Sequence, residues 1–87
     1  MSDYIITFAR SARKELDSLS IQISSRIDPE INALANNPRP SGCVKLKGRQ
    51  NQWRIRIGNY RVIYSIDDET FTIKIMEVGH RGDVYER

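Results

Sequence analysis

The 87-residue chain has only one cysteine, Cys43, and one histidine, His80. A single cysteine cannot form a disulfide within the chain, and the pair cannot supply the four Cys or His ligands of a structural zinc site. No apolar run approaches the roughly 18 residues of a membrane-spanning helix, and the N-terminus lacks the basic-then-apolar order of a secretory signal. We therefore expect a cytoplasmic protein without membrane association, whose chemistry uses no metal and no cofactor.

Acidic residues are also absent between Glu30 and Asp67. Half of the 14 basic residues fall in this gap, namely Arg39, Lys45, Lys47, Arg49, Arg54, Arg56 and Arg61. The net charge of +3 therefore conceals a basic segment on an otherwise acidic chain. Such a segment favours a polyanionic partner. The alternative is a solvated basic surface that only maintains solubility.

The first half of the chain predicts one strand and two helices within a single domain, residues 1–87. The β-forming run "YIITF" predicts a strand at Tyr4–Phe8. Apolar residues at helical spacing predict a helix over residues 11–19, with its N-cap at Ser11, and a second over residues 23–36. Pro29 predicts a kink or a restart of the second helix, because proline lacks the N–H that the helix requires.

The second half predicts antiparallel strands. "VKLK" indicates a strand with Val44 and Leu46 inward and the two lysines outward. In "QWRIRIGNYRVIY", Gly58-Asn59 predicts a two-residue hairpin turn that places Arg56 opposite Arg61. A second turn at Asp68-Glu69 would place Tyr64 opposite Ile73 and Ile66 opposite Phe71. The predicted fold is α+β: an N-terminal strand, two helices, and a curved antiparallel sheet packed on the helices.

The hairpin register places Arg54, Arg56 and Arg61 together on the face opposite the apolar residues. Two arginines directly opposite each other repel, at a cost of roughly 0.2–1 kcal/mol. A pair of residue types that lowers the stability of the fold is typical of a functional site. A planar guanidinium group donates two parallel hydrogen bonds to two oxygens of one phosphate, so these arginines predict a phosphodiester-binding surface. The alternative is that the long side chains extend into water with no ligand.

Three motifs in series, "KLKG", "WRIRIGNYRVIY" and "VGHRGDVY", resemble the RelE branch of the RelE/ParE toxin superfamily. The resemblance implies a ribosome-dependent endoribonuclease that cuts messenger RNA in the ribosomal A site. In such toxins the 2′-hydroxyl attacks the adjacent phosphorus and leaves a 2′,3′-cyclic phosphate, without a metal. It also implies an acidic RelB-like antitoxin, a hetero-oligomeric complex with it, and binding of that complex to operator DNA.

The resemblance also implies roles for particular residues. Arg54 and Arg56 match two basic positions on the strand before the hairpin turn, and Arg61 matches the arginine after the hairpin tyrosine. We expect Arg61 to stabilise the charge of the transition state, and Arg54 and Arg56 to hold the neighbouring phosphates. Arg81 matches the arginine after the last strand, which would neutralise the leaving oxygen or donate a proton to it in a concerted step. Tyr85 matches the C-terminal catalytic tyrosine.

Several assignments stay open in the sequence. Strict alternation from Met76 and Val78 would place His80 on the same face as the arginines, where it is a candidate general acid. The alternative is a packing or backbone-bonding role. Tyr85 follows Arg81 at a shorter interval than is usual in RelE toxins, and it is alternatively a tail residue packed on the sheet edge. Lys45 and Lys47 bind phosphates or are solvated. At the level of the whole protein, the alternatives are a ParE-like toxin that inhibits DNA gyrase, or a non-catalytic module that binds RNA or antitoxin.

Overall fold

The computed structural model describes residues 3–80. The elements follow the chain as β1 (Ile5–Phe8), α1 (Arg10–Asp17), α2 (Ile21–Ala33), β2 (Val44–Lys45), β3 (Gln52–Ile57), β4 (Tyr60–Asp67) and β5 (Thr72–His80). The five strands of residues 3–80 form one sheet in the order β1-β5-β4-β3-β2. β1 is parallel to β5, and the other neighbours are antiparallel. The predicted α+β arrangement is confirmed, with β1 added to the antiparallel strands as a parallel edge.

The helices begin earlier than predicted. Ala9, and not Ser11, precedes α1, because the chain enters this helix directly from β1 while the Ala9 N–H still donates to the Ile75 carbonyl at 2.8 Å. α2 begins after Ser20, whose Oγ accepts a hydrogen bond from the Ile23 N–H at 3.3 Å, as expected of an N-cap. Pro29 lies inside α2 and does not restart it. Of the helices in residues 3–80, none is long and apolar enough to span a membrane.

The core lies between the two helices and one face of the sheet. It consists of Ala12 and Leu16 from α1, Ile27 and Ile31 from α2, Leu34 directly after α2, and the sheet residues Ile55, Val62, Tyr64, Ile66, Ile73, Ile75 and Val78. The alternation along β3 and β4 therefore assigns one face to the core, as predicted from the sequence.

The predicted β3–β4 hairpin is confirmed residue by residue. Ile57 pairs with Tyr60, Arg56 with Arg61, and Trp53 with Tyr64. Gly58 has φ +61°, the left-handed conformation that such a turn requires and that glycine adopts without strain.

The predicted turn between β4 and β5 is wrong. β4 ends at Asp67 and β5 begins at Thr72, so four residues connect them instead of two. The Asp67 carboxylate accepts the N–H groups of Glu69 and Thr70 at 3.0 and 3.2 Å, which favours the longer loop. Ile66 therefore pairs with Ile73, whereas Phe71 is exposed in the loop.

A β-bulge in β5 changes which residues of that strand face the core. Tyr64 pairs with Ile75, but Ile63 pairs with Glu77, so Met76 is the extra residue. Beyond the bulge the alternation inverts, and Val78 is buried. The Val78 N–H donates to the Glu15 carboxylate of α1 at 2.9 Å. Glu15 thereby satisfies a backbone group on the part of β5 that extends past β1.

A polar cluster joins β1, the segment after α2 and the β4–β5 loop. The Asp68 carboxylate accepts hydrogen bonds from the Arg39 guanidinium at 2.9 Å and from the Tyr4 hydroxyl at 2.6 Å. Both contacts favour the ionised carboxylate, and the Arg39 hydrogen bond contributes most to lowering the pKa of Asp68 below its ordinary value.

We expect Asp68→Asn to weaken the acid dependence of stability. Because the pKa of Asp68 is lowered by folding, the cluster stabilises the fold above the ordinary carboxyl pKa of about 3.9, and this stabilisation is lost as the pH falls through the folded value. Urea unfolding between about pH 6 and pH 2.5 should show a larger loss of unfolding free energy in the native chain than in the variant. Asp17→Asn, in the exposed pair with Arg13, is the control. Equal losses in the native chain and in Asp68→Asn would contradict this role.

We expect Gly58→Ala to lower the unfolding free energy by about 1 kcal/mol, because alanine is strained at a positive φ. A Cβ at this position would also lie 2.9 Å from the Arg26 Nη2 atom. Gly42→Ala, at φ +92° with no atom within 4 Å, measures the backbone strain alone. A loss in Gly58→Ala beyond that of Gly42→Ala would report the Arg26 contact. If neither variant loses stability, the strain argument fails.

Candidate functional site

The arginines of the β3–β4 hairpin lie on the sheet face opposite the helices. Arg54 pairs with Ile63 and Arg56 with Arg61, so these residues point away from the side on which Ile55 enters the core. We term this surface, formed by Arg54, Arg56 and Arg61, the arginine face. The hairpin register therefore brings the arginines together as the sequence predicts.

Exposure falls steeply across the arginine face. Arg56 is exposed, Arg54 is half-buried, and Arg61 is only 2% exposed. Gly79 pairs with Arg61 on β5 and has no side chain, so the strand next to Arg61 leaves room for its long side chain. Arg54 and Arg61 each interact with another group of the protein. The arginine face therefore combines a buried guanidinium, Arg61, with an accessible one, Arg56.

His80 lies outside the arginine face. It pairs with Tyr60, and the two rings meet edge to face with centroids 5.5 Å apart. Strict alternation along β5 predicts that His80 points towards the arginines, and this placement is wrong because the bulge at Met76 inverts the alternation. His80 itself is exposed at the end of β5.

The lysines of the "VKLK" segment also differ from their predicted orientation. Lys45 pairs with Trp53 and Val44 pairs with Arg54, so Val44 lies on the arginine side and Lys45 on the other. The Lys45 Nζ atom is 5.8 Å from the centroid of the Trp53 ring. Lys47 is exposed in the turn that follows β2. The alternation prediction fails because β2 is only two residues long and its facing is set by pairing with β3.

Arg81 and Tyr85, the other two predicted catalytic residues, lie outside the described residues.

The buried aromatic side chains are structural, as the sequence predicts. Tyr64 is fully buried, and its hydroxyl donates to the Pro38 carbonyl at 2.7 Å. Burial raises the pKa of Tyr64, which makes it unsuitable as a base. Trp53 is half-buried, and the Arg39 guanidinium carbon lies 4.9 Å from its ring centroid. This cation–π contact connects the aromatic residue to the Asp68 cluster.

A charged pair crosses the sheet on the same side as the arginine face. Arg49, in the loop between β2 and β3, places Nη1 3.1 Å from the Glu77 Oε2 atom of β5 and 3.5 Å from Gln52 Oε1 of β3. An open cleft of about 590 Å³ adjoins the pair; it is lined by Ala9, Ser11, Glu15, Arg49, Gln52, Met76 and Glu77.

Sequence reasoning missed the Arg49–Glu77 pair. Arg49 belongs to the basic segment, so the excess of positive charge was a signal for it. Glu77 had no comparable signal, because its facing depends on the bulge at Met76.

Comparison with known proteins identifies the family. A family model described as the ParE toxin of a type II toxin-antitoxin system, parDE, matches residues 6–85. The chain is 32% identical to Toxin RelG of Mycobacterium tuberculosis over 97% of this chain and 98% of the relative. It is 31% identical to Toxin RelE3 of Methanocaldococcus jannaschii over 93% and 94% of the two chains.

Solved structures agree with this relationship. The toxin of the archaeal RelE–RelB complex from Pyrococcus horikoshii superposes with a TM-score of 0.80 and 30% identity, covering 92% of this chain and 97% of that one. The isolated RelE toxin of Escherichia coli gives a TM-score of 0.79 at 25% identity, covering 95% and 92%. The chain belongs to the RelE/ParE superfamily of type II toxin-antitoxin toxins. Within it, the named relatives and the solved structures assign the chain to the RelE branch.

Proposed function

We propose that this toxin is an endoribonuclease that cuts messenger RNA in the ribosomal A site and so inhibits translation. Residues 1–87 act as one toxin domain in this proposal. The observation that supports it best is the arginine face, where solvent exposure decreases from Arg56, which is exposed, to Arg61, which is buried. An accessible charge captures the phosphodiester backbone, while a weakly screened one acts on the charge that develops during the reaction.

The reaction is an internal transfer within the RNA. The 2′-hydroxyl oxygen forms a bond to the adjacent phosphorus, and the bond from phosphorus to the 5′-oxygen breaks. Negative charge builds on the non-bridging oxygens, and fixed positive groups in a water-poor site stabilise it. Arg61 takes this role, and Arg54 and Arg56 hold the neighbouring phosphates. Contact between Arg61 and a phosphate requires a local shift of the groups that cover it, because its exposed fraction is only 2%.

Two protons must move for the reaction to balance. We assign removal of the 2′-hydroxyl proton to Tyr85, because a positive site favours the tyrosinate that can accept it. We assign neutralisation of the charge on the leaving 5′-oxygen to Arg81, and this oxygen takes its proton from solvent water. The attacking group belongs to the substrate, so this scheme requires no metal.

We also propose an antitoxin partner and a ribosomal site of action in the cytoplasm. The Pyrococcus horikoshii relative is a complex of RelE with RelB. An acidic RelB-like antitoxin would neutralise the basic segment and silence this chain, and the complex would bind its operator DNA. Lys47, exposed beside β2, is a further candidate contact to messenger or ribosomal RNA. Lys45 lies on the Trp53 side, so its candidate contact is ribosomal RNA at the sheet edge.

A ParE-like toxin that inhibits DNA gyrase is the second candidate, because the matching family model carries the ParE description. The arginine face favours RNA cleavage over this alternative. In cells that express the toxin, cut messenger supports the nuclease, and broken DNA supports gyrase inhibition. A non-catalytic RNA-binding module would instead bind RNA in a salt-dependent manner and release no product.

The decisive experiment is primer extension on messenger bound to ribosomes with an empty A site. We expect the native chain to cut within the A-site codon and Arg61→Ala to cut about 100-fold more slowly, as for removal of one transition-state donor. Arg61→Lys should retain part of the activity, because it keeps the charge and loses the planar fork. Arg13→Ala removes an exposed arginine from α1 and is the matched control. Intact messenger in the presence of growth arrest would refute the nuclease and direct the test to gyrase.

We expect His80→Ala to retain cleavage in the same assay, whereas Arg81→Ala and Tyr85→Phe should reduce it. The reason is that His80 pairs with Tyr60 on the face opposite Arg61. A loss in His80→Ala as large as that in Arg61→Ala would restore His80 as the general acid and refute the assignment based on register.

A further inference from the structure

The Arg49–Glu77 pair spans the strand that carries Arg61. Arg49 contacts Gln52 on β3 and Glu77 on β5, and β4 lies between those two strands. The Arg49 guanidinium therefore lies across β4 on the side of the arginine face. Both side chains of the pair are 27% exposed, so the ion pair is screened less than one fully in solvent.

The register places Glu77 next to the arginines. Glu77 pairs with Ile63, and Ile63 pairs with Arg54, so all three side chains share one row across the sheet. Arg61 is diagonal to Glu77, because its own partner on β5 is Gly79. Diagonal neighbours in a sheet are about 7–8 Å apart, which glutamate and arginine side chains span easily. Without another partner, the Glu77 carboxylate is within reach of the arginine face.

A carboxylate and a phosphate compete for the same guanidinium groups. Each presents two oxygens that accept two parallel hydrogen bonds from arginine. A glutamate drawn to the arginine face would lower its positive charge and compete with RNA for its donors. Glu77 is therefore compatible with RNA binding only when its carboxylate is bound by a group outside the arginine face.

We propose that Arg49 is a positioning residue that holds Glu77 away from the arginine face, so that this carboxylate does not compete with the RNA backbone for it. This role rests on the proposed function, and it assigns Arg49 no contact with the substrate. Its effect passes through Glu77, so removal of the Glu77 charge should make Arg49 dispensable.

The test compares the native chain with Arg49→Ala, Glu77→Gln and the double variant. Affinity is measured by fluorescence anisotropy with a short single-stranded RNA that carries a 2′-O-methyl group at every position and therefore cannot be cut, and cleavage is measured on ribosomes. We expect Arg49→Ala to weaken binding about 3- to 10-fold, the size expected for one misplaced charge near the surface. The double variant should return close to native affinity and cleavage. Glu77→Gln alone should bind at least as tightly as the native chain.

Each competing role for Arg49 gives a different result. If Arg49 contacts RNA directly, the double variant stays as weak as Arg49→Ala, and the proposal fails. If only net charge matters, Arg13→Ala weakens binding as much as Arg49→Ala, and the proposal also fails. Urea unfolding of each variant identifies a loss of folding, and Glu77→Gln tests the proposal even if Arg49→Ala does not fold.

Failure of this inference is distinguishable from failure of the proposed function. A native chain that cuts RNA while the double variant shows no rescue refutes only the role of Arg49. A native chain that neither binds nor cuts RNA refutes both.

Discussion

The register of the β3–β4 hairpin is the constraint on which the rest of this structure depends. Gly58 at positive φ fixes a two-residue turn, and the turn determines which residues pair. One face then carries the apolar residues that the helices cover, and the other carries the arginines. A slip of one residue would move every side chain of a strand to the opposite face, exposing the core and burying several charges. Stability and the charged surface therefore share one cause.

The hairpin was predictable because its turn chemistry and its alternation agree. The β4–β5 connection was not, since Phe71 adopts φ +53° in the loop, and nothing in the residue type indicates a positive φ there. The bulge at Met76 was equally hidden, and it reversed the expected placement of His80. Lys45 was misplaced because alternation has little predictive value in a two-residue strand. Local patterns thus predicted the elements, while long-range pairing decided which side chains share a face.

Burial divides the arginine face into parts with different physical properties. Arg56 is screened by solvent, so in the proposed reaction its role is the capture of the RNA backbone, since surface charges act over about a Debye length. Arg61, at 2% exposure, is screened by solvent far less. A fixed charge in a water-poor environment stabilises a transition state without the reorganisation that water would require. The same burial carries a desolvation cost, which the fold offsets through its apolar core on the other side of the sheet.

The charge of the arginine face depends on where a nearby carboxylate, that of Glu77, is bound. The basic segment lacks acidic residues in sequence, yet β5 returns Glu77 to the same row as Arg54. Whether Glu77 neutralises this surface depends on which cation holds it, and in this fold that cation is Arg49 at 3.1 Å. The charge of the basic segment alone therefore misrepresents this surface, because Glu77 reaches it from a strand that is distant in sequence. Arg49 binds the Glu77 carboxylate there. The electrostatic potential of the arginine face is therefore set jointly by β3, β4, β5 and the loop that carries Arg49.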